Sequence, residues 1–191
     1  ETILGIYAMS KAPEGIIITD NGKYTGVLFT SSLLHILNEK EVASARDQNP
    51  LTKLPGNNLV QDYLGRAANL GDKTLIYFDF DNFKPFNDKY GFRQGDRLIM
   101  HFASLLRNLK GPEFIAHIGG DDFFAGYSHT DSDVPKEISS FLHSFAQDAL
   151  SFYSEEDKKT GYVIAMSRTG KLQKFPFLTA SAAIISIQKD T

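Results

Sequence analysis

Two acidic clusters contain the residue types most able to do chemistry. Asp79-Phe80-Asp81 ends one apolar stretch, and Gly119-Gly120-Asp121-Asp122 forms a tight turn between two others. Carboxylates brought together from neighbouring strands repel each other unless a divalent ion lies between them. Mg²⁺ or Mn²⁺ suits such a site, because substrate phosphates and water complete its ligand shell. The clusters therefore predict metal-assisted phosphoryl or nucleotidyl transfer, with turn residues and helix caps as the alternative roles of aspartate beside glycine.

Further polar residues could bind a nucleotide. In Asn82-Phe83-Lys84, backbone N–H groups of a turn at a helix start can hold phosphates, and Lys84 adds a positive charge. Gly119-Gly120 lets a ligand lie against bare backbone. Asn87 and Asp96 combine an amide oxygen with a carboxylate, which matches the N–H groups on the edge of guanine. Their alternative roles are a turn hydrogen bond for Asn87 and a helix cap for Asp96.

The composition restricts which classes of protein and which kinds of site are possible. The chain has 191 residues, of which 42% are hydrophobic and 23% charged, as in soluble globular proteins. Its net charge of −3 gives no general field for nucleic acid or an anionic membrane, so neither is an expected partner. The absence of cysteine excludes a disulfide framework, a thiolate zinc site and a thiol nucleophile. No apolar run approaches the ~20 residues that span a bilayer, and a cytoplasmic location is expected.

The elements that position these residues fall into two parts. Residues 15–29 are predicted to form a hairpin around Asp20-Asn21-Gly22, followed by a helix that ends before Asn49-Pro50. From residue 47 onward, strands and helices alternate, which predicts an α/β (α+β) domain with a polymerase-palm or ferredoxin-like sheet. Along it we expect helices at 58–70, 95–109 and 134–153, strands at 74–79 and 178–187 (the latter buried), hairpins at 114–127 and 162–175, and a charged loop at 154–160.

Four motifs in order resemble those of GGDEF domains, the diguanylate cyclase family. Residues 79–96 are similar to the family's DxDxFKxxND…G…GD segment. Gly119-Gly120-Asp121-Asp122-Phe123 is similar to the signature itself, here as GGDDF. Residues 49–54 are similar to the DPLTGL opening, and residues 178–183 stand where the closing TVSIGVA strand belongs. The resemblance implies a nucleotidyl-cyclase fold over about residues 49–187.

The resemblance also implies a domain organisation. Residues 16–41 are similar to the last strands and helix of a CBS module, so residues 1–46 are expected to be the C-terminal remnant of an upstream CBS-like module with a linker helix. Residues 47–191 are expected to be a GGDEF domain without the family's usual last helix, whose Lys and Arg residues touch phosphates. A phosphodiesterase domain elsewhere in a longer parent protein is a further expected partner.

The activity that the resemblance implies is the condensation of two GTP molecules, one on each subunit of a dimer, to cyclic di-GMP with release of pyrophosphate. Mg²⁺ would be held by Asp79 and Asp121 with the Phe80 carbonyl, and Asp122 would lie beside the metal and the attacking 3′-hydroxyl. The remaining carried-over roles are catalysis by Asp121 and Asp122, phosphate contacts from Lys84 and the backbone of 80–83, an open turn at Gly119 and Gly120, and guanine recognition by Asn87 and Asp96.

The sequence departs from the family at three places. Asp122 stands for the signature's glutamate, which withdraws the carboxylate by about an ångström, and shifts of that size can cost ~10²-fold in rate. His117 replaces a frequent arginine with a side chain that is mostly neutral at pH 7. Lys110 and Glu113 occupy the Arg-x-x-Asp inhibitory site, with two solvated loop charges as the alternative. Without the arginine fork we expect weak or absent feedback binding of cyclic di-GMP.

Three functions remain open at this stage. The first is a diguanylate cyclase that acts as a dimer. The second is a catalytically weak or inactive GTP-binding module that regulates a neighbouring domain, such as a cyclic di-GMP phosphodiesterase. The third is another palm-type nucleotidyl cyclase or polymerase, which the Gly-Gly-Asp-Asp-Phe turn and the Asn87 and Asp96 pair disfavour.

Overall fold

The computed structural model describes residues 15–67, 72–128, 133–167 and 169–188. The chain divides into two compact units, Glu1–Arg46 and Asp47–Thr191. Within the described residues, every helix is too short or too polar to traverse a lipid bilayer.

The first unit contains the hairpin that the sequence predicts. Strand β1 (Gly15–Asp20) pairs antiparallel with β2 (Lys23–Phe29), and helix α1 (Thr30–Asp47) follows. Asn21 and Gly22 connect the strands at φ 49° and 77°. Both values are left-handed, as a type I′ turn requires, and Asn-Gly is the pair that tolerates them best. The CBS-like origin of this unit stays a prediction.

The second unit is a four-stranded antiparallel sheet flanked by helices, which confirms the predicted mixed α/β fold. Its elements in chain order are α2 (Asn57–Ala67), β3 (Lys73–Asp81), α3 (Phe83–Tyr90), α4 (Phe92–Asn108), β4 (Phe114–Gly119), β5 (Asp122–Tyr127), α5 (Val134–Ala149), a 3₁₀ turn (Leu150–Phe152), α6 (Glu155–Thr160), β6 (Val163–Met166), β7 (Leu172–Phe175) and β8 (Thr179–Ile187). The sheet order is β4-β5-β3-β8, and β6 and β7 form a separate hairpin.

Strand β3 separates the core from the acidic face of the sheet. Phe78 and Phe80 are at most 3% exposed and lie under the ring of Phe102 on α4, at centroid distances of 5.6 and 5.0 Å. Because side chains alternate along a strand, Tyr77 and Asp79 point to the opposite face. The aromatic core therefore fixes the direction of the acidic side chains.

The predicted charged loop at 154–160 is wrong, because this segment contains helix α6. The Ser154 hydroxyl accepts from the Asp157 backbone N–H at 3.2 Å, and acidic residues fill the first turn, where the helix dipole favours them. The Asp157 carboxylate also accepts from the Tyr90 hydroxyl and pairs with Lys89 at 3.5 Å. The Tyr90 bond is the main reason that the pKa of Asp157 lies below its usual value.

The prediction of a buried last strand is also wrong. Among the described strands, β8 pairs with β3 alone and so lies at an edge of the sheet. Ala180 is its buried residue, whereas Ile185 on the other face is 59% exposed. The apolar composition of residues 178–187 thus reflects one covered face rather than two.

Candidate nucleotide and metal site

The acidic clusters meet on the face of the sheet opposite the aromatic core. In the β3–β5 register Phe78 lies opposite Phe123, so the next position places Asp79 opposite Asp122. Burial, followed by the charges of Asp121, Asp122 and other nearby acids, raises the pKa of Asp79. Burial is also the main cause that raises the pKa of Asp121. The structure therefore brings together the three acids that the sequence singles out, in mutual repulsion that a cation would relieve.

The second acid of the first cluster has a different environment. Asp81 accepts hydrogen bonds from the Thr179 hydroxyl at 2.8 Å and from the Ser181 hydroxyl at 2.8 and 2.9 Å. Both hydroxyls belong to β8, so these hydrogen bonds hold the edge strand β8 against β3, next to Asp79. Sequence reasoning did not assign this structural role.

The Gly119-Gly120 turn has free space at Gly120 and is held by a hydrogen bond from His117. Gly120 has φ 58°, and apart from its two chain neighbours no described residue has an atom within 4 Å of the position that its Cβ would take. The imidazole of His117, which is 2% exposed, donates from Nε2 to the Gly120 carbonyl at 3.0 Å and stacks on Phe123. Its Nδ1 lies 3.0 Å from the Thr52 hydroxyl, which also accepts from the Leu54 N–H. That pattern fits a neutral imidazole, and burial lowers the pKa of His117.

A second turn connects β3 to α3. Asn82 adopts the left-handed conformation at φ 65°, and within the described part of the chain no side-chain hydrogen bond caps the helix that follows. The first N–H groups of α3, at Phe83 and Lys84, are therefore open to an anion. The Lys84 ammonium pairs with Asp88 one helical turn later at 2.6 Å, and its side chain is 60% exposed.

Asn87 contains an unpaired acceptor. Its Oδ1 is buried and has no hydrogen-bond partner within the described part of the chain. A Cβ at Gly95 would lie 2.0 Å from this oxygen and 3.2 Å from the Phe83 ring, so only glycine leaves room for it. Asp96 is exposed within α4, which begins at Phe92, so the helix-cap alternative for Asp96 is wrong.

A cavity of about 580 Å³ joins several predicted residues. Its lining includes Asp79, Phe80, Phe83, Lys84 and Asp121, together with residues of the β6–β7 hairpin. The remaining predicted residues, Asn87, Asp96, Gly119, Gly120 and Asp122, lie outside this lining. The described residues contain no preformed group of three acid, histidine or cysteine side chains around a metal position. An ion at Asp79 and Asp121 would therefore need phosphate and water ligands, which is the usual coordination of Mg²⁺.

A comparison with known families matches the part of the chain that contains the acidic clusters. The family model described as "Diguanylate cyclase, GGDEF domain" matches residues 46–170, more than half of the chain. The chain belongs to the GGDEF domain family. The matched range contains both acidic clusters and strand β6, whereas strand β7 lies beyond its end.

Two curated relatives that match part of this chain are longer proteins. Cyclic di-GMP phosphodiesterase PdeR of Escherichia coli is 34% identical over 94 residues, which are 47% of this chain and 14% of that protein. Diguanylate cyclase DgcS of Shewanella oneidensis is 30% identical over 102 residues, or 50% of this chain and 34% of that protein. This chain thus spans well under two thirds of either relative.

A solved structure shares the fold. The coiled coil and GGDEF domain of DgcB from Caulobacter crescentus, solved in complex with c-di-GMP, superposes with a TM-score of 0.56 at 22% identity. The alignment covers 83% of this chain and 80% of that one. At this identity the likeness concerns the fold alone.

Sequence reasoning missed Tyr77 of the GGDEF domain. The Tyr77 hydroxyl lies close enough to Asp122 to donate to it, and burial, this interaction and the nearby acids raise the pKa of Tyr77 to about 12. Tyr77 therefore stays protonated and keeps donating at physiological pH. A tyrosine within an apolar strand is an ordinary β-former, so its spacing from Asp79 was the only available signal.

For the cyclase activity proposed below, replacing Tyr77 by phenylalanine is expected to lower kcat for cyclic di-GMP formation by about tenfold and to leave the KM for GTP unchanged. A hydrogen bond to a charged group contributes about 1.5–3 kcal/mol, and here it holds the shortened Asp122 side chain in one orientation. Steady-state kinetics with product quantified by chromatography measures the effect. Tyr24→Phe, at a tyrosine 70% exposed in the first unit, is the control. A rise in KM at unchanged kcat would assign Tyr77 to GTP binding instead.

Glu113 of the inhibitory-site pair is engaged elsewhere in the GGDEF domain. Its carboxylate accepts from the Lys73 ammonium at 2.5 Å and from the Tyr63 hydroxyl at 2.8 Å, and Lys73 is 6% exposed. Burial and the Glu113 carboxylate raise the pKa of Tyr63. Glu113, whose side chain is 35% exposed, is thus an ion-paired rather than a free loop charge, whereas Lys110 is exposed.

Glu113→Ala is expected to lower the free energy of unfolding by about 1–3 kcal/mol, because two largely buried donors lose their acceptor. Urea denaturation measures the change. Glu155→Ala is the matched control, since the Glu155 pair with Lys158 is exposed and such pairs contribute less than about 1 kcal/mol. Equal stability of the two variants would show that the Lys73 pair does not hold the fold.

Proposed function

We propose that this GGDEF domain binds GTP with Mg²⁺ and, as a dimer, condenses two GTP molecules to cyclic di-GMP. The observation that carries the proposal is the cavity that Asp79 and Asp121 line together with the first turn of α3. Carboxylates attract a cation and the open N–H groups attract phosphate, so this shared lining suits the two parts of a metal–nucleotide complex.

The choice of guanine rests on Asn87. A buried acceptor without a donor is costly in the free protein, by about 1–3 kcal/mol, and a ligand that supplies an N–H removes that cost. Guanine presents N–H groups on its edge. Gly95 lies beside the Asn87 oxygen, and the exposed Asp96 is the next residue in the chain. Phe83 both lines the cavity and lies next to Gly95, so base and phosphates would bind in adjoining spaces.

The residues would divide the reaction as follows. Asp79, Asp121 and the Phe80 carbonyl would hold Mg²⁺, which neutralises charge on the α-phosphate and the pyrophosphate leaving group. Lys84 and the α3 N–H groups would fix the phosphates, while Asp122, oriented by Tyr77, would accept the 3′-hydroxyl proton. Each 3′-oxygen attacks the α-phosphorus of the nucleotide on the other subunit, so the dimer supplies the in-line approach.

Calorimetric titration tests the binding part of the proposal. GTP with Mg²⁺ should bind, ATP should bind at least tenfold more weakly, and chelation of Mg²⁺ should abolish GTP binding. Equal affinity for ATP and GTP would contradict the assignment of Asn87 and Asp96. Unchanged binding in the presence of chelator would contradict the metal site.

A regulatory GTP-binding module is the second candidate. The short Asp122 side chain favours it, because a carboxylate drawn back from the reacting hydroxyl slows chemistry without weakening GTP binding. The match to the phosphodiesterase PdeR is consistent with such a role beside another domain. This candidate predicts normal GTP titration and no cyclic di-GMP, whereas the cyclase predicts both.

A further inference from the structure

The β6–β7 hairpin lines the same cavity as Asp79 and Asp121. Its lining residues are Met166, Ser167, Thr169, Gln173 and Phe175. At the base of the hairpin Val163 is 1% exposed within the main core and Phe175 packs against that core. The core therefore fixes where the tip of the hairpin lies.

The tip is a preformed turn. The Ser167 N–H donates to the Lys171 carbonyl at 2.8 Å, the Gly170 N–H to the Ser167 carbonyl at 3.0 Å, and the Lys171 N–H to the Ser167 hydroxyl at 3.2 Å. The Ser167 and Thr169 hydroxyls lie 2.9 Å apart. These bonds hold the Thr169 hydroxyl at the cavity before any ligand arrives. Arg168 lies outside the described residues, and nothing here rests on it.

Gln173 adds an amide to the same wall. It lies opposite Ala165 in the hairpin register, and its side chain is exposed and makes no hydrogen bond with the described residues. An exposed amide of this kind costs nothing in the free protein and can offer two N–H donors to a ligand. Thr169 and Gln173 thus bring neutral donors to a cavity whose lining also contains the carboxylates of Asp79 and Asp121.

We propose that the hairpin binds the polyphosphate of the nucleotide through Thr169 and Gln173 and so selects triphosphates over shorter phosphate chains. The inference rests on the proposed function, since it places the GTP phosphates in this cavity. Phosphates bound by Lys84 and the α3 turn on one side would leave their outer oxygens toward the hairpin. Hydroxyl and amide donors satisfy those oxygens without repelling the cation held by Asp79 and Asp121.

The test compares GTP and GDP binding, each with Mg²⁺, by calorimetric titration of the full chain. The wild type should prefer GTP to GDP by at least tenfold. Thr169→Val combined with Gln173→Ala should weaken GTP binding by about tenfold and leave GDP binding unchanged within twofold. Leu172→Ala is the control, because Leu172 is 71% exposed on the hairpin but does not line the cavity, and it should keep the preference.

The outcomes separate the inference from the proposed function. An undiminished preference for GTP in the double variant would overturn the role of the hairpin and leave the cyclase proposal standing. A wild type that binds neither GTP nor GDP would overturn both. Near-identical melting temperatures of the double variant and Leu172→Ala without nucleotide would establish that the variant is folded.

Discussion

Replacing Asp79 by asparagine is expected to abolish Mg²⁺-dependent GTP binding and, at neutral pH, to make the nucleotide-free protein more stable. The loss follows from removing one of the two carboxylates that face the cavity, and cyclic di-GMP formation should fall by more than about 100-fold. The gain follows because burial and the charges of Asp121 and Asp122 oppose ionisation of Asp79 in the folded state.

The raised pKa of Asp79 determines the direction in which the stability of the nucleotide-free protein changes with pH. The pKa of Asp79 is raised in the folded protein, so its contribution to stability is fully present below the usual value of 3.8 and is lost as pH rises through the raised pKa. Without Mg²⁺ the wild type should therefore lose stability over this window. Asp79→Asn should lose less, because it has no ionisation at that position.

Thermal melts between about pH 3 and 8, with chelator and with Mg²⁺ plus GTP, measure both effects. The matched control is Asp62→Asn, at an exposed aspartate on α2. An Asp79→Asn protein that melts lower than the wild type in chelator would show that the ionised carboxylate is not under repulsion. Retained stabilisation by Mg²⁺ and GTP would move the metal site elsewhere.

Asn87→Leu is expected to weaken GTP binding by about 10–100-fold while leaving the free protein as stable as the wild type or more stable. Leucine has nearly the shape of asparagine, so the space beside Gly95 stays filled. The buried Oδ1 has no donor within the described residues, so its removal ends a desolvation cost in the free state. Most buried-site substitutions destabilise a protein, which makes this combination distinctive.

Titration with GTP and urea denaturation of the same samples measure the two halves of that prediction. Asn38→Leu, at an exposed asparagine on α1, is the control for the change of residue type. Unchanged GTP affinity together with lost stability would assign Asn87 to the fold. Equal losses of affinity for GTP and ATP would remove its role in reading the base.

The sequence predicts the site well where neighbours in the chain determine it. Asp79 follows an apolar strand, Asp121 follows two glycines, and the turn before Lys84 is local, so spacing alone places them. The β3–β5 register then brings Asp79 and Asp122 together, because a slip of one residue would turn every side chain of a strand to the other face.

Contacts between distant parts of the chain are what the sequence did not provide. Glu113 accepts from Lys73 across 40 positions, and Tyr90 donates to Asp157 across 67. Each side chain has an ordinary surface residue type, so no local pattern marks it as buried or paired. The position of the β6–β7 hairpin over the cavity depends on the core packing of Val163 and was missed for the same reason.

The most direct test of the account is incubation of the chain with GTP and Mg²⁺, followed by chromatography of the products over a range of protein concentrations. The account predicts cyclic di-GMP with two pyrophosphates for each molecule formed, at a rate per subunit that rises with protein concentration because two subunits must meet. GTP recovered unchanged at every concentration, with GTP binding intact, would contradict it and identify a nucleotide-binding regulator.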